Sequence, residues 1–302
     1  MNLLITGAWP DAKSHIEEIE RMGHRVVFLQ QEADELPCAP DWVEGVVCNG
    51  LFLHHPIDRF TNLRFIQLTS AGFDRVDMDY VQAHNIEIHN ARGVYSIPMA
   101  EFAVCGVLQL YKQSRFFYEN QKAHKWEKHR GLLELCGKTV TILGCGSVGT
   151  ECAKRFKAFG CRVLGVDIAV RKDENYERIH PLSALDTLLP DTDVLVLTVP
   201  LTNETMYIMN RDRICAMKPT AVLVNIARGR IVDESALCDA LRAHRIAGAV
   251  LDVFEEEPLP EANAVWTLEN VLISPHNSFI SERNTQRLDM IIMEALTRLA
   301  QQ

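Results

Sequence analysis

A glycine-rich turn lies between an apolar run and a helical segment near the middle of the chain. Thr139–Leu143 leads into Gly144-Cys-Gly146-Ser-Val-Gly149, and a helix-compatible segment follows as far as Phe159. Glycines at this spacing permit a tight turn, let the backbone approach a pyrophosphate, and allow the helix to pack closely on the strand. The free N–H groups at the start of such a helix favour an anion. We therefore expect a dinucleotide-binding βαβ unit, with a plain tight strand-to-helix turn as the alternative.

The acidic residue that such a unit requires is also present. The next apolar run, Arg162–Val166, is followed by Asp167, which stands 18 positions after Gly149. A carboxylate at this place can accept hydrogen bonds from the adenosine ribose hydroxyls, and it repels a 2′-phosphate. The sequence thus predicts NAD rather than NADP, although the cations of Arg171 and Lys172 leave NADP open.

Short apolar runs alternate with helical segments along the whole chain. Several runs in the second half are nearly continuous Val, Ile and Leu, which is typical of parallel strands buried on both faces. The predicted strands are Leu3–Thr6, Arg25–Leu29, Val46–Cys48, Phe65–Leu68, Ile86–His89, Val140–Leu143, Arg162–Val166, Val194–Val199, Ala221–Asn225, Ala247–Leu251 and Val271–Ile273. The predicted helices include Asp11–Met22, Pro98–Lys125, Val148–Phe159, Glu234–Ala243 and Ser281–Gln301. This alternation predicts an α/β fold with parallel sheets.

The length of 302 residues predicts about two domains. A helix as long as Pro98–Lys125 can bridge two domains or form a subunit contact, so we place the domain change near residue 98. The last predicted helix follows the final strand and can return to the first domain.

The composition disfavours nucleic-acid-binding, membrane, secreted and metal-binding proteins. Lys and Arg total 31 against 40 Asp and Glu, a formal net charge of −9. That balance disfavours a nucleic acid partner. No apolar run approaches the roughly 20 residues of a membrane span, and the N-terminus lacks the basic region of a signal peptide. The nine cysteines include no CxxC pair, and the eleven histidines show no metal-ligand spacing. We expect a cytoplasmic protein with free thiols, no membrane association and no metal.

Polar residues follow three apolar runs of the second half. Arg228 follows the first run, Asp252 and then Glu255–Glu257 follow the second, and His276 follows the third. Ligands of open α/β sheets bind at the carboxyl ends of strands, the edge at which the glycine turn also lies. Each residue alone is also consistent with a solvated loop or a structural role. Together, an Arg, a carboxylate and a His suit hydride transfer to a carbonyl beside a carboxylate, because Arg binds the acid and His exchanges the proton.

With these motifs, the sequence resembles the D-isomer-specific 2-hydroxyacid dehydrogenase family from about Leu63 to His276. The matching motifs are Gly144–Gly149 with Asp167, Val199-Pro200-Leu201-Thr202, Asn225-Ile-Ala-Arg228-Gly229, Asp252-Val-Phe-Glu-Glu-Glu257-Pro258 and Ser274-Pro275-His276. They stand in the family's order and at family-like distances, which is more specific than any one of them.

The resemblance implies a role for each matching residue. Arg228 would bind and polarise the substrate, His276 would be the acid/base, and Glu257, rather than Glu255 or Glu256, would be the partner of His276. The cofactor-binding residues implied are Gly144, Gly146, Ser147, Val148, Gly149, Asp167, Pro200, Thr202, Ala227 and Asp252, with Asp252 near the nicotinamide. The substrate-binding residues implied are Ser70, Ala71, Gly72, Arg228 and His276, the first three in a loop whose N–H groups hold the substrate carboxylate. An ordinary glycine turn is the alternative for that loop.

The resemblance also implies an architecture. A larger Rossmann-type, doubly wound NAD-binding domain (98–279) would be inserted into a smaller substrate domain (1–97 and 280–302). Both would be parallel-sheet α/β domains with the ligand cleft between them. The family usually forms a homodimer through the NAD-binding domain.

Some residues depart from the family pattern. Asn277 follows the histidine where small or apolar residues are common, Tyr95 stands where many members have a small residue or Asn, and Arg75 follows the substrate loop. Arg75 and Arg92 would meet a second anionic group or form surface salt bridges. These departures leave the substrate open.

The predicted function is the NAD(H)-dependent interconversion of a small anionic 2-oxo acid and a D-2-hydroxy acid. The alternatives are a 3-phosphoglycerate dehydrogenase, a hydroxypyruvate or glyoxylate reductase, and, in a different class, an NAD(H)-sensing binding protein of the corepressor type. A pure sensor has no need of all three of Arg228, Glu257 and His276, and their joint presence disfavours the last alternative.

Overall fold

A computed structural model of the protein describes residues 1–301, which form two compact α/β units. The first unit comprises Met1–Tyr95 together with the described residues from Ser281 onward, and the second comprises Ser96–Ile280. The chain therefore leaves the first unit once and returns to it for its last helix.

In the described part of the first unit, five parallel strands form one sheet in the order β2-β1-β3-β4-β5. The strands are β1 (Asn2–Thr6), β2 (Arg25–Leu29), β3 (Gly45–Cys48), β4 (Phe65–Leu68) and β5 (Glu87–His89). The helices are α1 (Ala12–Arg21), α2 (Leu51–His54), α3 (Met78–Ala83) and α10 (Asn284–Ala300). Helix α10 packs Leu288, Ile292 and Leu296 against the side chains of β1.

In the second unit, seven parallel strands form a sheet in the order β12-β11-β10-β9-β6-β7-β8. The strands are β6 (Thr139–Leu143), β7 (Arg162–Val166), β8 (Arg178–His180), β9 (Val194–Leu197), β10 (Val222–Asn225), β11 (Gly248–Leu251) and β12 (Val271–Ile273). The helices are α4 (Ser96–Tyr111), α5 (Ser114–Lys122), α6 (Ser147–Ala158), α7 (Leu185–Leu188), α8 (Arg211–Ala216) and α9 (Glu234–Arg242). The order of strands reverses between β6 and β9, which is the topological switch point where doubly wound sheets bind ligands.

Both faces of this sheet are covered, which explains its nearly continuous apolar strands. Every residue of β9 is buried, and its side chains alternate between two separate hydrophobic clusters. Helix α4 approaches the sheet especially closely, since a Cβ on Gly106 would lie 2.6 Å from Cγ1 of Val250 in β11. The predicted fold class, two parallel-sheet α/β domains of which one is of Rossmann type, is confirmed.

The predicted strands are confirmed to within two residues at each end. The edge strand β8 was not predicted, because only Ile179 of its three residues is buried. The single long helix predicted over Pro98–Lys125 is wrong. The chain turns between α4 and α5, where Gln113 takes a left-handed conformation with φ of +53°.

Among the helices of residues 1–301, none combines the length and the apolar composition needed to cross a bilayer.

Candidate active site

The strand order of the second unit brings the predicted motifs side by side at one edge of the sheet. All seven strands are parallel, so their carboxyl ends lie together. Along this edge, from β12 to β7, the residues that follow successive strands are His276, Asp252, Arg228, Pro200, Gly144 and Asp167. The Arg, carboxylate and His set thus occupies one half of the edge, and the glycine turn with its acidic residue occupies the other.

The glycine turn is held tightly against the end of β9. Gly144 has φ of +96°, and a Cβ there would lie 2.8 Å from the carbonyl carbon of Thr198. The Thr198 hydroxyl donates to the Gly144 carbonyl at 2.6 Å. A Cβ on Gly149 would lie 2.0 Å from that same carbonyl oxygen, so helix α6 can pack here only with glycine. By contrast, a Cβ on Gly146 would meet nothing within 4 Å, which leaves its backbone accessible to a ligand.

Asp167 is tied to the glycine turn by its carboxylate. Oδ2 accepts the backbone N–H of Cys145 at 2.6 Å, and Oδ1 accepts that of Ala169 at 2.9 Å. The guanidinium of Arg171 donates to the carbonyl of Cys145, so the Cys145 backbone is bound at both its N–H and its C=O. A carboxylate has about four lone-pair positions, and two remain for the hydroxyls of a ribose. The turn, the start of α6 and Asp167 therefore fit the pyrophosphate and ribose of NAD.

The other residues predicted for the cofactor lie around this turn. Ser147 begins α6 and shares a hydrogen bond of 2.7 Å with the hydroxyl of Ser96, while Val148 is half-buried against the core. After β9, the hydroxyl of Thr205 donates to the carbonyl of Pro200 at 2.6 Å and accepts the N–H of Thr202 at 2.8 Å. Sequence reasoning missed Thr205, because a Thr three residues after another Thr in a loop does not show which backbone group its hydroxyl meets.

The turn that carries Arg228 is organised by a buried amide. The side chain of Asn225 accepts the N–H of Ala227 at 3.1 Å and donates to the carbonyl of Arg228 at 3.0 Å. Arg228 is half-buried, and one of its guanidinium N–H groups donates to the carbonyl of Ala227 at 2.8 Å. Asn225 ends a predicted strand, but its role in shaping the turn was not predicted.

His276 is paired with Glu257. Nδ1 of the ring lies 2.8 Å from Oε2 of Glu257, and Oε1 of Glu257 accepts the backbone N–H of Phe254 at 3.0 Å. The two side chains are 39% and 36% exposed, so the pair is reachable by a ligand. A proton on Nδ1 makes this contact a hydrogen bond and leaves Nε2 for the substrate. Glu255 instead accepts the Tyr207 hydroxyl at 3.2 Å.

The backbone of His276 takes an uncommon conformation, with φ of +51°. His is one of the few residues that adopt this left-handed region readily. The backbone N–H of His276 donates to the carbonyl of Asp252 at 2.7 Å, which fixes the turn on the neighbouring strand. The turn therefore aims the imidazole by backbone geometry as well as by its carboxylate partner.

The carboxylate of Asp252 also holds the turn that carries His276. It is only 1% exposed, and its carboxylate accepts the N–H groups of Asn277 at 2.8 Å and of Ser278 at 3.1 Å. These bonds make Asp252 a positioning residue for the histidine turn. Its predicted contact with the cofactor stays a prediction.

The predicted substrate loop, Ser70–Gly72, follows β4 in the first unit. The Ser70 hydroxyl donates to the carbonyl of Gly72 at 3.1 Å. Arg75 and Arg92 are both exposed and form no ion pair with the described residues. Tyr95 is half-buried, and its hydroxyl donates to the carbonyl of Thr69. Across residues 1–301, no cluster of three or more His, Cys, Asp or Glu side chains could hold a metal ion.

The second unit also carries a sequence signature that decides the family. Residues 104–278 match the profile described as "D-isomer specific 2-hydroxyacid dehydrogenase, NAD binding domain". The chain belongs to this dehydrogenase family. The predictions of the family, of an NAD cofactor and of a nicotinamide-dependent oxidoreductase of 2-hydroxy acids are confirmed.

Individual relatives of the dehydrogenase carry several names. A glyoxylate reductase of Thermofilum pendens is 36% identical over 240 residues, which cover 77% of this chain and 70% of that protein. A D-3-phosphoglycerate dehydrogenase of Archaeoglobus fulgidus is 35% identical over 240 residues, covering 79% of this chain but 46% of that longer protein. The crystal structure of D-lactate dehydrogenase from Aquifex aeolicus, complexed with NAD and lactic acid, superposes with a TM-score of 0.83 at 26% identity, covering 99% of this chain and 96% of that one.

Proposed function

We propose that this dehydrogenase reduces a small 2-oxo acid to the D-2-hydroxy acid with NADH. Arg228 binds the substrate, His276 donates the proton, and Glu257 orients His276. The observation that carries this proposal is the hydrogen bond between His276 Nδ1, after β12, and Glu257 Oε2, after β11, because β11 lies beside β10, the strand that Arg228 follows. The reaction is reversible, and the same residues serve the oxidation of the hydroxy acid.

The cofactor would be held by the glycine turn Gly144–Gly149, by Asp167, and by the segment Pro200–Thr202. Ala227 and Asp252 complete the proposed cofactor set. When bound, the nicotinamide supplies the hydride that reduces the carbonyl carbon of the substrate. The chain's own residues bind and orient the acid and move the proton.

Each catalytic residue has a distinct task. The planar guanidinium of Arg228 forms a charge-assisted fork to the carboxylate and carbonyl oxygens of the substrate, which polarises the carbonyl. Nε2 of His276 gives its proton to the developing alkoxide, and water reprotonates Nε2 after product release. Glu257 accepts a hydrogen bond from Nδ1 on the opposite edge of the ring, which holds the imidazole in place and compensates its charge, as a carboxylate does in other His-dependent sites.

The substrate carboxylate would also be bound by backbone N–H groups of Ser70, Ala71 and Gly72. A small acid such as glyoxylate, hydroxypyruvate or pyruvate suits this set, and the names of the relatives favour such acids. A second candidate is a phosphorylated acid such as 3-phosphoglycerate. It is favoured by the two cations of Arg75 and Arg92, which lack ion-pair partners among the described residues, and by the name of one relative.

The decisive experiment follows NADH absorbance with a panel of plain and phosphorylated 2-oxo acids. Wild-type protein should turn over at least one of them, and His276→Ala and Glu257→Gln should lower kcat by roughly 100-fold or more. The exposed histidine variant His84→Ala serves as the matched control and should keep full activity. Tight NADH binding without any turnover would contradict the proposal and indicate a sensor. Turnover that survives in His276→Ala would remove His276 from the acid/base role.

We also propose a homodimer formed through the second unit. Several apolar side chains on and after α5 face solvent in the single chain, and Trp126 is 98% exposed. The others are Phe117, Tyr118, Leu132 and Leu133. An apolar patch of this kind marks an interaction surface.

Light scattering should report a dimer for wild type and a monomer for Trp126→Glu combined with Leu133→Asp, whereas Leu53→Asp in the first unit should stay dimeric. A monomeric wild type would contradict the proposal.

We also propose that the protein is located in the cytoplasm. The nine cysteines are all unpaired, and five of them are buried, which suits a reducing compartment. Cell fractionation should recover the protein with cytosolic markers, and recovery with a membrane or secreted fraction would contradict this assignment.

A further inference from the structure

Three consecutive carbonyl groups in the first unit accept hydrogen bonds from one short segment, residues 90–95. The bonds run from the Tyr95 hydroxyl to the carbonyl of Thr69, from the Ala91 N–H to that of Ser70 at 2.8 Å, and from Asn90 Nδ2 to that of Ala71 at 2.6 Å. Two of the three donors are side chains, so this arrangement depends on the identity of Asn90 and Tyr95.

These bonds determine where the N–H groups of the substrate loop point. In a planar trans peptide the C=O of one residue and the N–H of the next point in opposite directions. Holding the carbonyls of Thr69, Ser70 and Ala71 toward the segment 90–95 therefore turns the N–H groups of the following residues away from it. Those residues are Ser70, Ala71 and Gly72, the loop assigned to the substrate carboxylate.

The three N–H groups are left available by the fold. None of them donates a hydrogen bond to another group in residues 1–301, whereas the N–H just before them, that of Thr69, donates to Cys48 at 2.8 Å. Ser70 and Gly72 are half-buried and Ala71 is exposed, so a ligand can reach the loop. Successive backbone N–H groups that face one side form an anion-binding concavity.

We propose that Asn90 and Tyr95 are positioning residues for the substrate carboxylate. They hold the loop by its carbonyls, and the loop presents its three N–H groups to the anion. This inference rests on the proposed reduction of a 2-oxo acid. It also gives Tyr95, which departs from the small residue or Asn common in the family, a definite task. The Tyr95 hydroxyl remains a neutral donor because burial raises its pKa above the ordinary value.

The test compares a 2-oxo acid with its methyl ester, which lacks the anion. Tyr95→Phe removes only the hydroxyl, and Asn90→Ala removes the amide donor. Each should raise KM for the acid roughly five- to tenfold, the typical effect of losing one such hydrogen bond. KM for the ester, kcat and the affinity for NADH should stay within about twofold. Tyr80→Phe is the matched control, because that ring stacks on His84 elsewhere in the first unit, and it should change none of these quantities.

Unchanged KM for the acid in both variants would overturn the inference, as would an equal rise for acid and ester, which indicates a merely structural role. Failure of the wild type to reduce any 2-oxo acid would instead contradict the proposed function. Calorimetric binding of oxamate to the NADH-loaded protein decides the inference without turnover: weaker binding in both variants supports it, and unchanged binding overturns it.

Discussion

Gly229 lies so close to Phe254 that a Cβ on the glycine would be 1.9 Å from the carbonyl carbon and oxygen of Phe254. The contact joins the turn after β10, which carries Arg228, to the turn after β11. That second turn holds Glu257 through the N–H of Phe254. The relative placement of the arginine and the glutamate therefore depends on a backbone contact that no other residue type permits.

Gly229→Ala should separate these two turns. A displacement of about 1 Å in a catalytic group is enough to lower activity by roughly 100-fold, so we expect kcat/KM to fall by that order. Steady-state assays with NADH and the preferred 2-oxo acid measure the effect. Gly131→Ala, in an exposed loop of the same unit, should leave kcat/KM unchanged, and an unaffected Gly229→Ala would show that the two turns are not coupled.

Asp252→Ala should loosen the histidine turn. The substitution leaves the N–H groups of Asn277 and Ser278 without their buried acceptor, which costs about 1–3 kcal/mol for each unsatisfied group. We expect a lower free energy of unfolding, measured with urea, together with a lower kcat. Asp233→Ala removes the N-cap of α9 at a cost of about 1 kcal/mol and should leave kcat intact. Should the affinity for NADH fall in parallel with kcat, Asp252 contacts the cofactor as well.

Asp167→Ala should change the choice between the two nicotinamide cofactors. Loss of charge-assisted hydrogen bonds to the ribose should weaken NADH binding by roughly 10- to 100-fold. NADPH binding should fall less or improve, because the carboxylate no longer repels the 2′-phosphate and Arg171 remains. Fluorescence titration measures both affinities. Asp173→Ala, in the same loop, should leave the ratio of the NADH and NADPH affinities unchanged. An equal loss of affinity for both cofactors in Asp167→Ala would show that Asp167 only holds the glycine turn through Cys145 and does not select the cofactor.

His24 should make the first unit less stable in mild acid. Burial is the main cause that lowers the pKa of His24, although its ring contacts the carbonyl of Leu296 in α10. Below pH of about 6.5 the unfolded chain binds a proton at this site that the folded protein takes up only at lower pH. Protonation therefore favours unfolding, and stability falls as the pH drops below that value.

Thermal unfolding between pH 7.5 and 5.5 measures this contribution. His24→Gln should show a smaller loss of melting temperature over the range than wild type, while His54→Gln, which changes an exposed ring, should follow wild type. A pH dependence in His24→Gln equal to that of wild type would assign the acid sensitivity to other groups.

The sequence predicted most strands because the sheets are buried on both faces. All four residues of β9 are apolar and buried, so hydropathy alone marks the strand. The strand β8 has one buried residue among three, and its existence depends on pairing with β7 rather than on its composition. The turn at Gln113 was missed because no Gly or Pro marks it, and the left-handed conformation there is adopted by a residue that rarely does so.

The candidate site was predictable where a residue type is required by its chemistry. Arg228, Glu257 and His276 stand at the ends of predicted strands, and the strand order brings them to one edge. The supporting residues were not predictable, because Asn225, Thr205 and Asn90 act through side-chain bonds to backbone groups of a turn. Many loops contain such polar residues, and only the folded chain shows which backbone group each one meets.

The residues at the sheet edge come from two separate segments of the sequence, which recombination between relatives could exchange. The glycine turn and Asp167 come from one stretch of sequence, and the arginine, carboxylate and histidine come from the continuous segment 225–276, which supplies neighbouring strands. A recombination at the β9–β10 connection would thus transfer Arg228, Glu257 and His276 together between relatives while keeping the glycine turn and Asp167. The reversal of strand order between β6 and β9 therefore separates the strands followed by the glycine turn and Asp167 from the strands followed by Arg228, Glu257 and His276.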